Sequence, residues 1–121
     1  MGKYVIKKGK TGPFFVLKAA NGEAIGKSED YSSEAACKSG IESVKKNAPG
    51  ANMEDQTVDG WKNMPNPVFE LFKDKAGEFR FRLRAKNGEP ILSSEGYSAK
   101  ASCIGGIESV KKNANSEIVA E

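Results

Sequence analysis

Between Phe79 and Lys86 every second residue is basic: Arg80, Arg82, Arg84 and Lys86 alternate with Phe79, Phe81, Leu83 and Ala85. A two-residue period belongs to a β-strand with one buried and one wet face. The four cations are therefore predicted to project from one side of a sheet, about 7 Å apart by strand rise. That spacing suits successive phosphates of a nucleic-acid strand, and Phe14 offers a base-stacking platform on the matching face. The competing reading is a solvated face whose arginines protect the sheet from aggregation. Glu70 and Glu89 dilute the stripe in that reading.

Other chemistry is scarce. The chain has no histidine, which removes the commonest general base, metal ligand and triad member. A Walker A loop, a strand-associated Gly-x-Gly-x-x-Gly and a Cys-x-x-Cys are all missing, so no catalytic residue, metal ligand or cofactor is predicted. Cys37 and Cys103 could serve as nucleophiles, but each falls on an apolar helical stripe, where a thiol behaves as a small core hydrophobe. Ser28-Glu29 and Ser94-Glu95, followed by Tyr31 and Tyr97, are the best polar candidates for a shared site. They precede helices, where such groups also satisfy exposed N–H donors. Gly40 and Gly106 lie inside those helices, at a cost of about 1 kcal/mol each relative to alanine, which points to close backbone approach. Trp61, the only tryptophan, is expected to pack the connection between the two halves onto the domain.

These residues are organised by an internal repeat at an offset of 66. NGEAIGKSEDYS at 21–32 returns as NGEPILSSEGYS at 87–98, and GIESVKKNA at 40–48 returns unchanged at 106–114. In the second copy, strands are predicted over Val68–Phe72, Phe79–Ala85 and Pro90–Leu92, with Asn87-Gly88 forming a two-residue type I′ turn. A helix follows from a Ser98 cap, with Cys103, Ile107, Val110 and Ala114 on one stripe and a Glu108–Lys112 pair at i,i+4. The first copy repeats the helix from Ser32 to Asn47, with Cys37, Ile41, Val44 and Ala48 on its stripe. Short strands are predicted around Asn52–Val58 and Glu117–Ala120.

One such unit is too small to bury its own stripe. The chain of 121 residues is therefore predicted to fold as one α+β domain with approximate two-fold symmetry: two tandem β-β-β-α(-β) repeats, one mainly antiparallel sheet, and both helices on one face. Repeat 1 covers 1–58, a connection 59–68, and repeat 2 covers 69–121. Nineteen basic and sixteen acidic side chains leave a net charge of +3. That excess permits an anionic partner but is far from the balance of a dedicated nucleic-acid binder. No apolar run is long enough to span a membrane, the N-terminus does not read as a signal peptide, and two cysteines suit a reducing compartment. A cytoplasmic monomer, its repeats mimicking a dimer, is expected.

The phenylalanine-rich strand, the NGE turn, the Ser-Glu-x-Tyr-Ser segment and the GIESVKKNA helix, each present twice, resemble the YegP-like family of small bacterial proteins. The resemblance covers most of the chain outside 51–64 and the tail. It implies three-strand-plus-helix units joined in one sheet, with the last strand of each unit open to swapping onto the other, and it carries over no catalytic residue. Two departures argue against a strictly symmetric function: Pro13-Phe14-Phe15 stands where the second copy has Phe79-Arg80-Phe81, and Tyr4-Val5-Ile6 needs a one-residue slip to match Phe69-Glu70-Leu71. The predicted function is a small non-catalytic binding or interaction module that meets an anionic or macromolecular partner through the open sheet face. The alternative is a structural or stress-associated protein without a small ligand; a thiol-dependent enzyme is the weakest of the three.

Overall fold

A computed structural model describes residues 2–120. The alternating run of the second repeat forms β6 (Phe79–Arg84), flanked by β5 (Val68–Lys73) and β7 (Pro90–Ser93); the first repeat supplies β1 (Lys3–Lys8), β2 (Pro13–Lys18) and β3 (Ala24–Lys27). Helices α1 (Glu34–Asn47) and α2 (Lys100–Asn113) follow, and β4 (Asn52–Asp55) and β8 (Glu117–Ile118) close the two repeats.

The Asn87-Gly88 turn differs from expectation. Gly88 N–H returns to the Ala85 carbonyl at 2.8 Å, and Gly88 has φ of 88° while no non-glycine residue among the described ones has positive φ. The loop is thus a three-residue type closed by a left-handed glycine, with a register shift between Leu83 and Arg84. Asn87 contributes its side chain instead, because Oδ1 accepts the Glu89 N–H at 3.0 Å without left-handed backbone. Asn21 and Gly22 repeat the arrangement.

Both helices begin later than their serines suggested. Ser33, not Ser32, caps α1 by accepting the Ala36 N–H at 3.1 Å, and α2 has Ala99 at its cap with no side-chain bond. The stripes are as the spacing predicts: Cys37, Ile41, Val44, Ala48 and their counterparts Cys103, Ile107, Val110, Ala114 are all buried. They cover Tyr4, Phe15, Leu17, Phe69, Leu71, Phe81 and Leu83 of the sheet, each fully buried large side chain stabilising the fold by about 1.5–3 kcal/mol. Gly40 and Gly106 make room for tyrosines and not for backbone. A Cβ at Gly106 would lie 2.5 Å from the Tyr97 hydroxyl, and one at Gly40 would collide with that of Tyr31.

The eight strands run in the order β4-β5-β6-β7-β3-β2-β1-β8, antiparallel except at the two ends. Lys27 pairs with Ser93 where β3 meets β7, and these residues are 66 apart, so the pseudo-two-fold axis passes through that seam. The terminal strands are exchanged. β4 leaves repeat 1 to run parallel to β5, and β8 leaves repeat 2 to run parallel to β1. Lys100 Nζ holds Asp55 Oδ2 at 2.5 Å, and the Tyr4 hydroxyl donates to the Ala114 carbonyl at 2.6 Å, so each exchanged segment is also tied by side chains. At the seam the repeats are complementary, not identical: a Cβ on Gly26 would meet Leu92 Cγ at 2.8 Å, and Leu92 stands at the position equivalent to Gly26.

Candidate functional site: the sheet face opposite the helices

Strand alternation places Arg80, Arg82 and Arg84 on the face away from the helices, since Phe81 and Leu83 point into the core. They are not a bare row of cations. Glu70, paired with Arg82 on the adjacent strand, accepts Arg82 Nε at 2.5 Å and Arg84 Nε at 2.8 Å, and Asp74 accepts Arg80 Nε at 2.6 Å. The Arg82 guanidinium also lies 4.4 Å from the centre of the Phe72 ring. Burial pushes the Glu70 carboxyl up, but the Arg82 and Arg84 hydrogen bonds outweigh it and hold the group below its ordinary range. The Arg80 hydrogen bond likewise holds Asp74 low. Lys86 does not continue the row. It lies in the turn beyond β6, where its N–H donates to Asn47 Oδ1 of α1 at 3.3 Å on the helix side.

The connection from β4 to β5 crosses this same half-face. Parallel neighbours need a return path the length of the strand. Glu54, paired with Glu70 and 3% exposed, accepts the Met64 N–H at 2.6 Å and Gln56 Nε2 at 2.6 Å, fastening the returning chain beside the arginines. Trp61 on this connection is 43% exposed, contrary to the packing role expected of it. The strand-free connection spans 56–67, somewhat longer than 59–68.

The first repeat presents a different surface. Phe14 stands where the second has Arg80, Val16 where it has Arg82 and Val5 where it has Glu70. Val5 and Val16 pair across β1 and β2 and are buried, and Phe14 is half-exposed with Lys27 Nζ 5.6 Å from its ring centre. A groove of about 670 Å³ runs from here across the seam, lined by Lys7, Phe14, Val16, Lys18, Lys27 and Arg80, with Glu95 as its one acidic side chain. Thus Phe14 and Arg80 share a groove, although Asp74 pairs with Arg80, whereas Arg82 and Arg84 lie outside it and are held by Glu70. Lys7 has no ion pair among the described residues. The lysines were missed because they are spread over three strands that only pairing brings together.

The Ser-Glu pairs form no site. Ser28 Oγ accepts the Phe15 N–H and Ser94 Oγ the Phe81 N–H, both at 2.9 Å, and each donates to the carbonyl of the following glutamate. They satisfy strand donors where β3 and β7 diverge, not helix N–H groups. Both cysteines are fully buried; burial raises the Cys37 thiol and pushes Cys103 up to about 11. Among the described residues no cluster of three or more metal-binding side chains occurs, and no helix is long and apolar enough to cross a membrane.

Comparison with known proteins agrees with this architecture. The family described as "Domain of unknown function (DUF1508)" matches residues 10–55 and 74–121. The UPF0339 protein YegP of Yersinia pestis is 39% identical over 122 residues, covering 100% of this chain and 96% of that protein. The UPF0339 protein in the ptx operon 5′ region of Stutzerimonas stutzeri is 67% identical over 47 residues, 39% of this chain, and the chain spans only 42% of that relative. The solution NMR structure of yegP from E. coli, a protein of unknown function, superposes with a TM-score of 0.79 at 34% identity, over 98% of this chain and 90% of that one. With two matched segments covering most of its length, a full-length relative and a shared fold, the chain belongs to the DUF1508 family of domains of unknown function, the YegP-like UPF0339 proteins.

Proposed function

We propose that the protein is a non-catalytic module that binds a single-stranded nucleic acid or similar polyanion along the groove of the first repeat, with Phe14 as stacking platform and Lys7, Lys18, Lys27 and Arg80 as phosphate contacts. The observation that carries this reading is the contrast between half-faces: Glu70 and Asp74 hold all three arginines of the second, while the first sets Lys7 and Lys27, neither of them ion-paired among the described residues, beside a half-exposed aromatic ring with one carboxylate in the groove. Aromatic stacking beside a cationic track is how single strands are held without sequence preference. A non-enzymatic role is supported by the chain's lack of histidine and by its buried, raised thiols. A monomer is supported by the exchanged strands, which bury the shared core within one chain. Two free cysteines suit a reducing compartment such as the cytoplasm.

The test is fluorescence anisotropy of a labelled single-stranded oligonucleotide across salt concentrations. Four phosphate contacts predict a slope of log K on log salt of about −3, and Phe14→Ala is expected to cost about 1–3 kcal/mol. Lys7→Gln with Lys27→Gln should weaken binding more than Arg82→Gln with Arg84→Gln. Absence of binding at low salt, or the reverse ranking of the two double variants, overturns the proposal.

A further inference from the structure

The segments kept most alike between the repeats, the NGE turn and the GIESVKKNA helix, meet on the helix side of the sheet, and they meet crosswise. The end of α1 abuts the turn of repeat 2 in a cleft of about 340 Å³ lined by Glu42, Ser43, Lys46, Asn47, Lys86 and Asn87, with the Glu42 carboxylate held by Lys45 Nζ at 3.6 Å. The end of α2 abuts the turn of repeat 1 in a cleft of about 670 Å³ lined by Ala20, Asn21, Ser109, Lys112 and Asn113. Most of the retained residues have structural work. Asn47 and Asn113 return their amides to the Ser43 and Ser109 carbonyls at 2.8 Å, and Lys45 and Lys111 each lie 5.9 Å from the ring centres of Tyr4 and Phe69. Lys46 and Lys112 have only their place in the last turn of each helix, where a cation suits the negative end of the dipole. Both are exposed, and neither forms a hydrogen bond or ion pair among the described residues. The expected Glu108–Lys112 pair is absent among them, and in repeat 1 Glu42 pairs with Lys45 instead, leaving Lys46 unpaired.

We propose that the cleft between α1 and the second turn is a binding site for a small oxyanion, a phosphate or carboxylate group, held by Lys46 and Lys86 with the Ser43 hydroxyl and Asn87 beside them. The cleft at α2 is its weaker counterpart. There Ala20 replaces Lys86, so a single lysine, Lys112, faces the ligand. Two cations converging on one oxyanion reinforce each other, whereas one surface lysine contributes little. This site lies on the opposite side of the sheet from the nucleic-acid groove and does not depend on it.

The test is an amide-resolved NMR titration of the full chain with inorganic phosphate, ionic strength held constant with chloride. Saturable shifts are expected at 43–47 and 86–88, with weaker ones at 109–113 and 20–22. Lys46→Gln and Lys86→Gln should each raise the half-saturating concentration at the first cleft about fivefold, the worth of one surface charge contact, and leave the second unchanged. Ala20→Lys should lower that of the second cleft by a similar factor, a gain that loss of folding cannot imitate. Shifts that do not saturate, that spread evenly over all lysine-bearing surfaces, or that persist in the Lys46→Gln, Lys86→Gln double variant overturn the proposal. So does an Ala20→Lys protein whose second cleft responds as before. Lys7→Gln with Lys27→Gln leaves these shifts intact, which separates failure here from failure of the groove.

Discussion

Exchanging Gly26 and Leu92 tests the pseudo-two-fold seam directly. Leu92 is 1% exposed and fills the space that a side chain at Gly26 would occupy, its Cγ, Cδ2 and Cδ1 standing 2.8, 2.9 and 3.1 Å from an ideal Cβ there. Gly26→Leu alone places two leucines in room for one, and overpacking of this kind costs about 1–3 kcal/mol or more. Leu92→Gly alone empties that room, at about 2–5 kcal/mol for the lost side chain and cavity plus roughly 0.5–1 kcal/mol for glycine in a strand. Independent effects would sum to about 3.5–9 kcal/mol, enough to unfold a domain of ordinary stability. Because the two positions are related by the axis, the double exchange rebuilds one leucine facing one glycine from the other side. A favourable coupling of about 1–3 kcal/mol is therefore expected. Urea denaturation followed by circular dichroism at 222 nm is the appropriate assay, since exposed Trp61 is a poor reporter of the core. A double variant no more stable than the sum of the single losses refutes the reasoning, because it would mean that Gly26 and Leu92 do not share one space.

Glu70→Gln is expected to destabilise the protein by about 2–3 kcal/mol at neutral pH, through loss of charge-assisted bonds to Arg82 and Arg84. It should also flatten the acid limb. The folded carboxyl titrates below its ordinary value of 4.5, so its contribution is complete above that pH and lost as pH falls through the folded value; equal acid slopes for wild type and variant in pH-resolved urea melts would contradict this. The same variant frees two arginines and should strengthen polyanion binding in the anisotropy assay. Both thiols are expected to resist a neutral-pH thiol reagent in the native state and to react once the protein is unfolded, since both are buried with raised titration. Fast native-state labelling of either would count against the core assignment.

The repeat, the strand and helix periods and the apolar stripes were all readable along the chain, because each depends on neighbours within a few residues. Cys37, Ile41 and Val44 announce a buried helical face whatever they pack against, and Phe81 and Leu83 announce the inner face of a strand. Loop geometry was less accessible: Asn87 had two ways to serve a turn, and its side-chain bond to Glu89 prevailed over left-handed backbone. The two helices, alike in sequence, differ at their caps because Ser33 has alanine as its counterpart.

Charge balance was legible only in part, since Glu70 stood out as diluting the stripe while the arginines it holds did not. Arg80, Arg82 and Arg84 form a basic stripe in the sequence, yet Glu70, 12 residues before Arg82 and 14 before Arg84, reaches those two only through the pairing of β5 with β6. Lys7, Lys18 and Lys27 look unrelated along the chain and become lining of one groove when β1, β2 and β3 align. The sequence by itself determined that two like units must bury their stripes together, since hydrophobic periodicity is a property of each segment. Which strand each unit lends to the other, which cations are neutralised and where the grooves lie were decided by tertiary structure, because those depend on pairings between residues remote in the chain.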